Sequence, residues 1–369
     1  MSMKENKLAR IGNISEDSDV RDVIERYAIR GYRRFVFMIL FFAVLIVLAG
    51  YCLGMGTYPM SITEVYSAIW EHLTHLSEGL YTVEMRVVWN QRLPRLLFAI
   101  MIGAGLAVAG AAMQSMLKNP LADPYTTGIS SGASFGATLA ITLGASVGAG
   151  TYAIVGNAFI FALIPAGVII ALATIKKTSP ATMILAGIAV MYVFNAFTQL
   201  LMLTADEKTM SAAYEWTVGS LSRASWETIP LMFILTAVGV MVIWYLSRYL
   251  NAMNSGDALA QTLGINVNKL RITLLVTISI MVAGLVSFAG IIGFVGLVAP
   301  HISRFFIGSD NRYLIPCSMF AGSAMMILSE IIAQAIARYY TLLPVGLITA
   351  MIGGPLFLLL IIRQRKEVW

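Results

Sequence analysis

Arg92-Leu-Pro-Arg95 places two guanidiniums three residues apart. Paired arginines capture carboxylates through parallel hydrogen bonds, so the chemistry on offer is recognition of an acidic partner. The plainer reading is anchoring at a membrane interface, where long basic side chains snorkel. Other reactive side chains are sparse. His72, His75 and His301 are scattered, and the i, i+3 pair His72 and His75 reads as a solvated surface pair. Cys52 and Cys317 lie in apolar surroundings without C-x-x-C spacing, which gives neither a disulfide framework nor a zinc site. No Gly-x-x-x-x-Gly-Lys-Ser/Thr loop is present, so ATP hydrolysis, if used, belongs to a partner. No catalytic residue, metal site or cofactor is expected. Glu330 is the one acid within the last apolar stretches and a functional candidate for that reason, although a proton relay wants several. The 21 methionines read as flexible packing.

These side chains need a scaffold, and composition says which kind. Hydrophobic residues make up 58% of the 369-residue chain and charged residues 12%. A soluble chain needs far more charge to cover its surface. The expectation is an all-α, polytopic membrane protein. Uncharged stretches run over 35–63, 96–117, 124–175, 178–205, 228–247, 272–303, 313–329 and 339–362. A helix crosses the hydrocarbon core in about 20 residues. The 124–175 stretch is too long for one span and breaks near Gly144 to Gly150, a poor helix former. The 272–303 stretch is one long helix or two with a tight break. The total is nine or ten.

Charge bias selects ten. The head carries Lys4, Lys7, Arg10, Arg21, Arg26, Arg30, Arg33 and Arg34, and the tail ends Arg363-Gln-Arg365-Lys366. Both ends are therefore expected in the cytosol, which requires an even count. The glycines of Phe288-Ala-Gly-Ile-Ile-Gly-Phe-Val-Gly296 then supply a break. With ten spans, only Arg86, Arg92, Arg95, Lys208, Arg223 and Arg338 of the 25 basic residues fall outside. This asymmetry accounts for the net charge of +6 without nucleic acid. Residues 1–34 read as a cytosolic lead-in, with an amphipathic helix near 20–32 and no signal-peptide core. Residues 35–365 form the membrane domain at the cell membrane, with a cytosolic segment over 250–270. Between the first two spans, Tyr58, Tyr66, Trp70, Tyr81 and Trp89 suggest short amphipathic helices at the interface.

Three segments are too particular for lipid-facing helix. Arg92-Leu-Pro-Arg95 leads into Gly103-Ala-Gly105, Gly110 and Gln114, then Asn119-Pro-Leu-Ala-Asp-Pro124. The prolines end a helix there, because the residue before proline avoids the α region. Gly256-Asp-Ala-Leu-Ala-Gln-Thr-Leu-Gly264 is a short amphipathic piece. Gly293-Phe-Val-Gly-Leu-Val-Ala-Pro-His301 follows later. Four patterns, Arg-x-Pro-Arg, Asn-Pro-Leu-Ala, Gly-x-x-x-Ala-x-x-Leu-Gly and Gly-x-x-Gly-Leu-x-x-Pro-His, stand in the order seen in FecCD-type permeases. From about residue 35 to 365 the chain resembles that family, the membrane subunits of type II ABC importers for iron chelates, haem and cobalamin.

The resemblance implies a set of roles. Arg92 and Arg95 would dock an extracytoplasmic substrate-binding protein. The family's third docking arginine, in Asp-x-x-Ala-Arg, is replaced in Glu330-Ile-Ile-Ala-Gln334, and Arg338 lies one turn further on. Gly256, Asp257, Ala260, Leu263 and Gly264 would form the helix that seats on an ATPase. Within it Asp257 would cap the first turn, and Ala260 and Leu263 would make the contact face. Asn119 and Leu121 would form an inner gate, with Ser179 and Pro180 contributing. The implied partners are a second permease subunit, identical or a close paralogue, two ATP-binding cassette subunits and the binding protein. Iron–siderophore leads among cargoes on family frequency, with haem, cobalamin and oxyanions open.

Overall fold

The computed structural model describes residues 31–74, 82–144, 152–176 and 180–364. The head through residue 30, Tyr81, His75, most of the Gly144-to-Gly150 break, Ser179 and the basic residues Arg365 and Lys366 lie outside the described residues. Within them, all regular structure is helical. In chain order the helices are α1 (Gly31–Gly54), α2 (Ile62–Thr74), α3 (Val83–Leu117), α4 (Ile129–Leu143), α5 (Tyr152–Lys176), α6 (Pro180–Leu203) and α7 (Glu207–Thr217). There follow α8 (Ile229–Tyr245), α9 (Ser247–Asn254), α10 (Asp257–Thr262), α11 (Val267–Ala289), α12 (Val295–Ile307), α13 (Asn311–Ala337) and α14 (Val345–Gln364).

Six of these, α1, α3, α5, α6, α11 and α13, are long and apolar enough to cross a membrane alone. Helix α8 passes the same test with α9, from which it bends by 50°. Helices α4 and α12 and the apolar part of α14, Val345–Leu360, are shorter. Together they supply the ten apolar helices expected from the charge pattern. The 272–303 stretch does break: α11 stops at Ala289, Gly290 takes φ +76°, and α12 starts after Phe294 at φ +67°. A Cβ on Gly290 would overlap the Trp216 carbonyl, so only glycine fits this corner.

Helix α3 is the buried axis, packed along α13, α12, α8 and α11. Lipid offers no hydrophobic drive between helices, so close approach of small residues and interhelical hydrogen bonds must hold them. Gly103 of α3 meets Gly322 of α13 so tightly that a Cβ on either would overlap the other's backbone. Beside them Ser323 Oγ donates to the Ile100 carbonyl at 2.9 Å. Helix α1 lies at the rim and is pinned by Arg34, which reaches Asp310 at 3.3 Å and the Ile307 carbonyl at 3.0 Å.

Helix α2 realises the amphipathic piece expected after the first span, with one face, Val65, Ala68 and His72, turned into the protein. His72 is thus not solvated. It is buried and its ring lies 4.0 Å from that of Trp89, because the helix needs an inward face and Trp89 supplies a flat partner.

Candidate functional site

Sequence-predicted residues gather at opposite ends of α3. At its start, Thr82 Oγ1 accepts the Met85 N–H at 3.2 Å and caps the helix. Pro94 follows twelve residues later and has no N–H to offer the turn above it. The turn widens: Val88–Arg92 is a π turn, with the Leu93 N–H bonded back to the Val88 carbonyl. The extra residue swings Arg92 inward.

Arg92 is only 8% exposed, and its terminal nitrogens donate to the carbonyls of Leu53 at 2.7 Å and Tyr58 at 2.6 Å. Arg95 Nε donates to Glu330 Oε1 at 2.8 Å, and Gln334 Nε2 donates to the same oxygen at 2.8 Å. Glu330 is 2% exposed, and its Oε2 has no partner, nor has Arg92 Nε. These side chains, with Cys52 and Asn90, line an open groove of about 350 Å³. The expectation of an exposed arginine pair is therefore corrected. A guanidinium folded into the bundle must be matched by carbonyls or a carboxylate, and this chain provides both. Of the three arginines, Arg338 is the exposed one. Its Nε donates to the Gly56 carbonyl at 3.2 Å, and Tyr339 and Tyr340 beside it are each 83% exposed.

At the far end, α3 stops in a left-handed Lys118, φ +50°, with the Asn119 N–H bonded to the Gln114 carbonyl at 3.1 Å. Asn119 Oδ1 then accepts the Leu121 N–H at 2.9 Å, fixing a tight turn that leaves Leu121 51% exposed. The next turn, Pro124–Thr127, is capped by Asp123, whose Oδ1 accepts the Tyr125 N–H at 2.8 Å. Tyr125 reaches back into the bundle and its hydroxyl accepts the Ile292 N–H at 3.2 Å, in the break between α11 and α12. Pro180 opens α6, which meets this turn two turns later at Gly187, against the Thr126 carbonyl.

Helix α10 stands beside Lys118. Its N-cap is Gly256, with no side-chain cap, so the capping role expected of Asp257 is not the one it has. The Asp257 carboxylate instead bridges Lys118 Nζ at 2.9 Å and Arg271 of α11 at 2.7 Å. Desolvation works to raise this carboxyl, but the hydrogen bonds from Lys118 and Arg271 outweigh it and hold it below the usual carboxylate range. The predicted contact face changes too. Ala260 is fully buried against the bundle, whereas Leu263 is 65% exposed and Leu259, one turn earlier, is also exposed. Gly264, φ +80°, ends the helix, with N–H bonds from Gly264 to Gln261 and from Ile265 to Ala260. Two leucines four apart on one open face are thus the surface this helix presents.

Residues 41–363 match the FecCD transport family. The chain belongs to that family. Among FecCD relatives, the hemin transport system permease protein HmuU of Yersinia pestis is 33% identical over 326 residues, 88% of this chain and 94% of HmuU. The cobalamin import system permease protein BtuC of Halobacterium salinarum is 39% identical over 292 residues, 79% of this chain and 77% of BtuC. A solved chain, described as an inward-facing conformation of a transporter of the metal-chelate ABC type, superposes with a TM-score of 0.77 at 28% identity, covering 88% of this chain and 98% of its own. This FecCD chain is accordingly a multi-pass transport permease.

Reasoning from sequence missed three features of the FecCD site. The π turn had a signal in Pro94. The exposed Leu259 had one in its four-residue spacing from Leu263. The double cation on Asp257 had none, since its partners stand 139 and 14 residues away.

Proposed function

We propose that this chain is the membrane subunit of a cell-membrane importer that receives a metal chelate from an extracytoplasmic binding protein and is driven by two separate ATPase subunits. The arginine end of α3 faces outward, α10 faces the cytosol, and both termini are cytosolic. The observation that carries the reading is α10 itself. It is a six-residue helix with Leu259 and Leu263 exposed and Ala260 anchored beneath, a shape suited to seating in a groove of another protein.

Other features fit the same cycle. Arg338, Tyr339 and Tyr340 offer the arginine and tyrosine anchors that dominate protein interfaces, with Arg92 and Arg95 lining the groove behind them. Leu121, held by Asn119, serves as the inner gate, and Pro180, with its sequence neighbour Ser179, is assigned to the same role. Helix α6 buries little of its apolar surface within one copy and exposes Leu185, Tyr192, Phe197, Leu200 and Leu203. That face suits a second permease subunit, identical or a close paralogue, with lipid around the pair and no role for nucleic acid. The cargo reading is a metal chelate, iron–siderophore first, with haem or a corrinoid as the alternative within the same architecture. Proton-coupled transport is disfavoured because Glu330, the buried acid of the last helices, already faces Arg95.

The test is Leu263→Glu. The permease should fold and reach the membrane but no longer co-purify its ATPase. Full co-purification would contradict the reading.

A further inference from the structure

Helix α10 is attached in an unusual way. Glycines with positive φ flank it on both sides, Gly256 at +124° and Gly264 at +80°, and a Cβ added to either would meet nothing within 4 Å. Open space beside both glycines leaves them available as pivots. Between these pivots its one charged side chain makes two ion pairs to two different helices. Lys118 is the residue that closes α3, immediately before the Asn119–Leu121 turn. Arg271 lies in the second turn of α11 with its side chain 8% exposed, so it is set in the bundle rather than free to follow. Side-chain exposure is 35% at Lys118 and 36% at Asp257, leaving that half of the clamp able to move.

We propose that Asp257 is the positioning residue that carries displacement of α10 to the inner end of α3, using Lys118 as the moving link and Arg271 as the fixed one. The proposal rests on α10 being the ATPase contact. Pushing the Leu259–Leu263 face rotates α10 on its glycines. The carboxylate then drags or releases Lys118, and the left-handed cap of α3 passes the change to Leu121. Packing alone does not supply this link, because Ala260 offers a single methyl beneath the helix.

The experiment uses the permease–ATPase complex carrying Leu121→Cys. Cys317 is buried, and Cys52, which lines the open groove, is replaced by serine in every variant, so a polar maleimide reads position 121. Labelling rates are compared with and without Mg-ATP plus vanadate, alongside ATPase co-purification and thermal stability. Parent complex should show a nucleotide-dependent change in rate. Asp257→Asn and Lys118→Gln should keep the complex folded and the ATPase bound, but lose that change. Asp257→Glu and Lys118→Arg should restore it. An unaltered nucleotide response in both Asp257→Asn and Lys118→Gln overturns the proposal, as does a parent complex with no response at position 121. Loss of ATPase binding in a stable Asp257→Asn variant also overturns it, by making Asp257 a docking residue. Failure of the underlying reading shows separately, as an ATPase that stays bound to Leu263→Glu.

Discussion

Arg95 of α3 and Glu330 of α13 are joined at 2.8 Å across 235 residues of sequence, in a groove where Gln334 shares the same carboxylate oxygen. The pair ties the two most extensively packed helices of the bundle at one end, as the Gly103–Gly322 crossing ties them further along. Glu330 side-chain exposure is 3% and that of Arg95 is 16%, so removing one partner strands a buried charge. Arg95→Met should lower stability by about 3 kcal/mol, whereas replacing both residues with apolar ones of similar volume should recover most of the loss. Denaturation of the purified permease in detergent reads this directly. A single substitution as mild as the double one would show that the pair is not held as described.

Arg338 makes a cleaner probe of the receptor surface than Arg92 or Arg95, whose reversal would disturb internal bonds. Arg338→Glu should leave the permease stable and the basal ATP hydrolysis of the complex unchanged. It should weaken stimulation by the loaded binding protein by about tenfold or more in the binding-protein concentration required, as expected for an interface anchor. Titration of the binding protein against ATPase activity in proteoliposomes measures it. Equal stimulation by parent and variant would remove Arg338 from the docking surface.

The Asp257 clamp carries a pH signature. Its carboxyl lies below the ordinary value in the folded protein, held there against desolvation by hydrogen bonds from Lys118 and Arg271. The folded state thus binds fewer protons than the unfolded state between the two values, and stability rises with pH there. The clamp's contribution is full above the ordinary carboxylate value of about 3.9 and fades as pH falls through the lowered folded value. Parent protein should therefore lose thermal stability below pH 4 more steeply than Asp257→Asn. Parallel acid profiles of melting temperature would rule the contribution out.

Helix number was legible in the chain because apolar runs and basic ends obey the bilayer directly, and the corner at Gly290 was legible in its glycines. The environments of charged residues were not. Arg92 reads as an outward-facing anchor until the π turn over Pro94 is seen, and an inward turn reverses its partners from receptor acids to the Leu53 and Tyr58 carbonyls. Asp257 reads as a cap because aspartate near a helix start usually is one. Here Gly256 takes the N-cap position, and the acid is drawn sideways by two cations that no local pattern connects to it. The family resemblance assigns Ala260 and Leu263 to a contact face, but only packing reveals that α10 turns Ala260 inward and leaves Leu259 with Leu263.

The most direct test of the whole account is uptake by proteoliposomes holding the permease with its ATPase. A labelled metal chelate is presented outside on the cognate binding protein, and ATP is enclosed on the α10 side. The account predicts accumulation that requires both the binding protein and ATP, and that persists when ion gradients are collapsed. Accumulation without ATP, driven by a proton or sodium gradient, would contradict it.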